Sequence, residues 1–287
     1  MSGRSLPIDP LASANPLGII LGMITLDEIC LFLDAFAPAR LAEEWDNVGL
    51  LVGDRAREIK RVMTCLTITP ASATEAIAAQ ADLIVTHHPL PFRPLKRLTT
   101  ETLPGRLLLQ LLSSQIAIHS PHTAFDSAAQ GINERLAQGL GLSHIQPLLP
   151  RLNDVDNLGS GRWGTLMEPQ PLAAVGERVA KFLGVAGLHQ VGDSDAPIRS
   201  VAVACGSAGS FLEPARRVGC QLLVTGETTF HTCLEAEAEN IALLLPGHFA
   251  SERFAVVALA DVLSKRFAGL TIWASKEERD PLTWINV

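Results

Sequence analysis

Two adjacent histidines, His87 and His88, follow the apolar run Leu83 to Val85 and precede Pro89. Imidazole nitrogen ligates divalent transition metals, and paired histidines make poor core filler because each buried ring nitrogen needs a partner. A histidine with an acid four residues later then occurs twice. His122 and Asp126 lie in Pro121-His-Thr-Ala-Phe-Asp, and His248 and Glu252 lie in Gly247-His-Phe-Ala-Ser-Glu. At the start of a helix this spacing puts imidazole and carboxylate on one face, where both can chelate one ion. Glu227, in Thr225-Gly-Glu, is a candidate general base or a supporting carboxylate. Taken singly, these residues have plainer roles: a surface turn for His87-His88, a dipole-countering acid for Glu252, a capping acid for Glu227. Together they offer nitrogen and oxygen but no thiolate, which suits Zn, Mn, Fe, Co or Ni without choosing among them. The small-residue run Cys205-Gly-Ser-Ala-Gly-Ser210 could cradle an anion with its amides. It matches neither the dinucleotide fingerprint nor the Walker A loop, and a tight strand-to-helix turn suits it equally.

A repeat shows which elements must position these groups. Arg61 to His88 and Ser200 to Glu227 align over 28 residues without a gap, at an offset of 139. Each opens with an apolar run (Val62 to Thr67; Val201 to Gly206) and continues through a helix-like stretch. Each closes with a second apolar run, Asp82-Leu-Ile-Val-Thr or Gln221-Leu-Leu-Val-Thr. Strand, helix, strand is the parallel crossover unit. Downstream, Ile116-Ala-Ile-His-Ser-Pro-His122 and Ile241-Ala-Leu-Leu-Leu-Pro-Gly-His248 each form an apolar strand ending at a histidine, with helical runs over 128–140 and 253–267.

The sequence therefore predicts an α/β fold of two similar lobes from an internal duplication, each with a mostly parallel sheet flanked by helices. The lobes are expected at about 23–146 and 198–287. The segment 147–197 between them reads as loop-rich, with an amphipathic stretch at Leu172 to Leu183 and a loop-like Gly159-Ser-Gly-Arg-Trp-Gly164. Residues 1–22 read as a flexible extension, and Thr25 with Glu28 three residues later has the capping-box signature of a first helix. Ligands in open parallel sheets collect beyond the carboxyl ends of strands, which is where the histidines fall.

Of the 287 residues, 47% are hydrophobic and 18% charged, enough for a sizeable core and the reverse of a disordered composition. A net charge of −7 argues against attraction to nucleic acid or an anionic membrane. The apolar stretch Leu17 to Ile24 is too short to span a bilayer, so no membrane segment is expected. Five cysteines without C-x-x-C spacing indicate neither a disulfide framework nor a zinc knuckle. A reducing, cytoplasmic compartment is expected, with no secretory leader.

Six segments occur in order between about Met23 and the C-terminus. They are Glu44-Trp-Asp-Asn-Val-Gly-Leu-Leu-Val-Gly53, His87-His-Pro-Leu, Ser120-Pro-His-Thr-Ala-Phe-Asp126, Gly161-Arg-Trp-Gly164, Val224-Thr-Gly-Glu227 and Gly247-His-Phe-Ala-Ser-Glu252. This ordered set resembles the NGG-interacting-factor-like family, often labelled GTP cyclohydrolase I type 2 homologues. The resemblance implies one family domain over 23–287 made of two lobes, without the extra domain that longer members insert in the middle. It also implies a pair of side-by-side metal ions and a toroidal homohexamer. Carried over motif by motif, the ligands would be His87, His88, Asp126, His248 and Glu252, with Glu252 bridging the ions. His122, Glu227 and His231 would line the site. Phe230 departs from the pattern, since many relatives have a histidine there. Trp45, Asp46 and Asn47 read as packing residues. The implied activity is metal-dependent hydrolysis of a nucleotide or phosphoester, with Glu227 or His231 moving a proton. The alternative is a non-catalytic metal-binding ring, serving as an interaction platform or metal-handling protein.

Overall fold

The computed structural model describes residues 23–152 and 154–283, so the extension expected at 1–22 lies outside the described residues. The first helix, α1 (Leu26–Phe36), starts where the capping box predicts. The Thr25 hydroxyl accepts from the Glu28 amide, and the Glu28 carboxylate accepts from the Thr25 amide at 2.8 Å. There follow β1 (Gly49–Val52), β2 (Arg61–Cys65), α2 (Pro70–Ala78), β3 (Leu83–Thr86), α3 (Leu103–Ser113) and β4 (Ala117–Ser120). Two short helices, α4 (His122–Ser127) and α5 (Ile132–Gly139), come next. Strands β2, β3 and β4 pair in parallel, and β1 lies antiparallel outside β4. Alternate residues face opposite sides. Val62, Leu83 and Val85 meet Leu26, Ile29 and Phe125, whereas Met63, Ile84 and Ile118 meet Ala73 and Ala76 of α2 and Leu107 and Leu111 of α3. Cover on both faces is why β3 reads as one unbroken apolar run.

The second sheet is assembled from β5 (Ser143–Gln146) onward. The small ribbon β6 (Leu149–Pro150) and β7 (Gly159–Ser160) precedes β8 (Arg162–Pro171), α6 (Leu172–Leu183) and β9 (His189–Val191). Then come β10 (Pro197–Ala204), α7 (Leu212–Arg217), β11 (Leu222–Thr225), α8 (Phe230–Ala238) and β12 (Ala242–Leu245). The strand order is β5-β8-β10-β11-β12-β9. The amphipathic stretch read at 172–183 is α6, residue for residue. The rest of the middle segment departs from the loop-rich expectation, because β8 is a ten-residue strand between β5 and β10. Its burial alternates only from Arg162 to Leu166, and Gly164, Pro169 and Pro171 interrupt the pattern that would announce a strand. The sheet is consequently parallel at its centre, β10-β11-β12, and antiparallel at its edges.

The β2–β3 and β10–β11 ladders share one register under the offset of 139. Val62 pairs with Leu83 as Val201 pairs with Leu222, through to Cys65 with Thr86 and Ala204 with Thr225. This agreement fits a duplicated strand–helix–strand unit.

From β12 the chain enters α9 (His248–Arg266) and crosses to the other lobe. Ala255, Leu259 and Leu263 pack into the first core, Phe254 touches both cores, and the Thr64 hydroxyl of β2 donates to the Val256 carbonyl at 2.8 Å. Strand β13 (Thr271–Ala274) then extends the first sheet beside β2 in parallel. Segment 248–274 thus packs with the first sheet, whereas the sequence reading places it with the second lobe. Local periodicity does not reveal which sheet a helix between two sheets will follow. No helix among the described residues is long and apolar enough to cross a membrane.

Candidate metal centre

His87 and His88 occupy the turn after β3. His87 is 1% exposed, and neither of its ring nitrogens has a hydrogen-bond partner. Such a group is costly to bury and calls for something to satisfy it. The Ser120 hydroxyl donates to the His87 carbonyl at 2.6 Å, tying the end of β4 to this turn. The Thr67 hydroxyl lies 2.7 Å from His88 Nδ1, which leaves His88 Nε2 for the cluster.

His122 opens α4, and its Nδ1 lies 2.7 Å from Asp46 Oδ1. Asp46 also accepts from the amides of Asn47 at 2.7 Å and Thr123 at 3.1 Å, and from the Thr123 hydroxyl. Burial opposes the Asp46 charge, but His122 and the other donors prevail and bring its carboxyl down to about 2. The motif around Trp45 therefore does more than pack, because Asp46 orients an imidazole. Sequence reasoning missed this role. The available signal was an acid within a recognisable motif, and nothing local links it to a histidine 76 positions away.

His248 opens α9 with its Nδ1 2.9 Å from Glu227 Oε1 and its Nε2 3.1 Å from Glu252 Oε2. The same Glu252 oxygen lies 3.2 Å from His88 Nε2, while Glu252 Oε1 lies 3.8 Å from His87 Nε2. His88 Nε2 and His248 Nε2 are 3.4 Å apart, and Asp126 Oδ1 is 3.6 Å from His87 Nε2. Asp126 Oδ1 and Glu252 Oε2 are buried and, although near these nitrogens, not aligned for a hydrogen bond. Two glycines make room for α9. A Cβ on Gly206, at φ +71°, would fall 2.3 Å from Glu252 Oε1, and one on Gly226 would fall 2.5 Å from Ser251 Oγ.

Burial pushes the His87 imidazole well below its ordinary range. Burial, then the neighbouring Glu252 charge, pushes the Asp126 carboxyl well up. Glu252 is also buried, yet His248, His87 and His88 hold it below the usual carboxylate range. The Glu252 carboxylate 3.1 Å away, helped by Glu227, raises His248 to about 9 against the cost of burial.

Donors bonded to one cation at about 2.1 Å lie about 3.0–3.4 Å apart. His88, His248 and Glu252 have this spacing, and two triads can hold an ion: His87, His88 and His122, and His88, His248 and Glu252. Unpartnered nitrogen and oxygen atoms at such distances fit divalent cations, and the all-N/O set admits Zn, Mn, Fe, Co or Ni. The structure thus brings His87, His88, Asp126, His248 and Glu252 together. It adds His122 to a triad, beyond the lining role expected for it. Glu227 sits behind His248, where it orients the ring, as Asp46 does for His122. His231 is not brought in; it stands exposed on α8 with its ring against Phe230 and has no hydrogen bond or ion pair to the cluster.

The profile of the DUF34/NIF3 family (NGG1p interacting factor 3) matches residues 24–281. The chain belongs to this family. A Clostridium acetobutylicum protein named GTP cyclohydrolase 1 type 2 homolog is 35% identical over 246 residues, covering 86% of this chain and 90% of that one. NIF3-like protein 1 of Drosophila melanogaster is 34% identical, with 88% and 87% covered. The crystal structure of a Bacillus cereus protein related to NIF3 superposes with a TM-score of 0.83 at 23% identity, over 92% of this chain and 100% of that one. Reduced HcgD from Methanocaldococcus jannaschii superposes with a TM-score of 0.77 at 27% identity, over 88% and 97%. The α/β architecture is that of the DUF34/NIF3 fold, and the histidines and acids of the cluster lie within the matched residues.

Proposed function

We propose that this DUF34/NIF3 protein holds two divalent cations side by side and hydrolyses a nucleotide or another phosphoester. The observation that carries the reading is the set of unpartnered donor atoms on His87, Asp126 and Glu252, which come from different segments to one point. The name GTP cyclohydrolase 1 type 2 homolog, carried by relatives, supports a nucleotide as the substrate class.

Glu252 is the bridging candidate, since Oε1 faces His87 and Oε2 faces His88 and His248. His87, His122 and Asp126 would complete one ion's surroundings and His248 the other's, with His88 within reach of both. Divalent cations in such a site supply Lewis acidity toward a phosphoryl oxygen and acidify coordinated water. The chain's own residues prepare the rest. Burial keeps His87 unprotonated and therefore able to ligate. Asp46 and Glu227 accept from Nδ1 of His122 and His248 and so present Nε2 of each ring to the centre. Thr67 does the same for His88. A cytoplasmic, ring-shaped homohexamer belongs to this reading, and solution mass measurement tests the assembly.

Elemental analysis after purification without chelator and reloading with Mn or Zn should give two ions per chain, with loss of one or both in Glu252→Ala. Loaded protein incubated with nucleoside mono- and triphosphates and with bis(p-nitrophenyl) phosphate should turn over at least one of them far above a His248→Ala control. Turnover no greater than that control would overturn the catalytic reading in favour of a metal-binding platform. Substoichiometric metal after reloading would overturn both.

A further inference from the structure

A cavity of about 390 Å³ lies between the lobes, with Asp126 in its wall. This is the size range of pockets that take small organic ligands, at its lower end. The cavity's charged lining consists of acids alone, Glu43 and Asp126; no lysine, arginine or histidine lines it. A phosphate in the cavity would meet the Glu43 carboxylate with no counter-charge among the lining residues. Uncharged polar groups are treated in the opposite way. Thr123, Ser127, Ser160, Ser207 and Ser210 line the space. The Thr123, Ser127 and Ser160 hydroxyls donate to Asp46, Ser160 and Glu43 and retain acceptor capacity, while Ser207 and Ser210 can both donate to and accept from a sugar hydroxyl. Trp45 and Phe211 add aromatic surface, and Trp45 keeps 63% of its surface exposed, unusual for the largest side chain. Such a ring offers a face on which a planar base can stack. Asp126 is the shared partition, lining the cavity while its unpartnered Oδ1 lies 3.6 Å from His87.

We infer that this cavity is the subsite for the uncharged nucleoside part of a phosphoester, whose phosphate stays on the His87–Glu252 side of Asp126. The placement of the phosphate rests on the hydrolytic reading above; occupancy of the cavity by a nucleoside does not. The pocket selects for hydroxyl-rich, planar, uncharged groups and against a second anionic group.

Calorimetric titration of guanosine and of adenosine into Zn-loaded, full-length protein tests this without requiring turnover. At least one nucleoside is expected to bind with Kd below about 1 mM, and inorganic phosphate is not expected to displace it. Ser210→Phe and Ser207→Phe, both at exposed positions on the cavity wall, should each weaken that nucleoside at least tenfold while metal content stays unchanged. Absence of nucleoside binding, displacement by phosphate, or equal binding by the unaltered protein and both variants would overturn the inference. Nucleoside binding lost in the variants, together with no hydrolysis of any ester, would sink the hydrolytic reading and leave the subsite standing.

Discussion

The two strand-end turns that meet at the candidate metal centre occupy equivalent places and are built in opposite ways. After β2 and β3 the first lobe carries Thr67, His87 and His88; at an offset of 139 the second carries Gly206, Gly226 and Glu227. One turn provides candidate ligands and the other provides room. Any side chain at 206 would intrude on Glu252, so the second lobe could not keep a threonine there and also admit the carboxylate of α9. The common backbone register therefore leaves the division of labour free to differ. The helices that follow stay alike. Each begins with a histidine held at Nδ1 by a carboxylate and places an acid four residues later. The supports differ in setting, since the Asp46 side chain is 1% exposed and that of Glu227 is 50% exposed.

Gly206→Ala attacks this comparison most directly. The added methyl combines a left-handed backbone with contact against Glu252. It should cost about 2–4 kcal/mol of stability and at least ~100-fold in metal affinity, as urea melts and metal titration would show. Gly219→Ala is the matched control, because its φ of +77° is similar but nothing lies within 4 Å of the new methyl. It should cost only about 1 kcal/mol and leave metal affinity unchanged. Similar losses in both variants would show that room for Glu252 is not what position 206 provides.

Removing the two supporting charges sharpens the comparison. Asp46→Asn should lower metal affinity by about 10–100-fold, and Glu227→Gln by less than about tenfold, because water can replace an exposed support. Equal effects, measured by competition with a chelating dye, would refute burial as the distinction.

Acidity separates the halves further. His248, raised to about 9 without metal, must lose its proton to ligate. Zn affinity should therefore climb from pH 6.5 to about 9, with proton release measurable by titration in buffers of different ionisation heat. In the metal-free protein, the ion pair with Glu252 stabilises fully below 6.5 and fades as pH rises through about 9. A flat affinity across that range would contradict the pairing.

The smallest effect is acid stability in the first lobe. Asp46 has its carboxyl depressed from 3.8 to about 2, so its contribution of about 2 kcal/mol is present above 3.8 and lost as pH falls through about 2. Asp46→Asn should flatten the acid limb of the stability curve between those values, read by denaturant melts at successive pH. An unchanged limb would show that the Asp46–His122 bond contributes no pH-linked stability.

Much of this was legible along the chain. Strands β3 and β11 announced themselves as uninterrupted apolar runs, α6 as an amphipathic period, and α1 by its capping box, because each signal lies within a few neighbouring residues. His122 with Asp126 and His248 with Glu252 stood out by helical spacing, and His87-His88 by its place after a strand. Strand β8 was hidden because it is buried along only half its length and interrupted by proline and glycine. Asp46 was hidden because the ring it orients lies across the fold.

By itself, the sequence determined the residue types at the strand ends, the repeated strand–helix–strand unit and the local caps, all of which depend on short-range spacing and sterics. Only the tertiary structure decided that α9 would leave its own sheet for the other. It likewise decided that His88 would meet His248, that Asp46 would reach His122, and that His231 would remain outside. Those outcomes depend on burying two faces of apolar surface around one helix, a balance set by residues far apart in the chain.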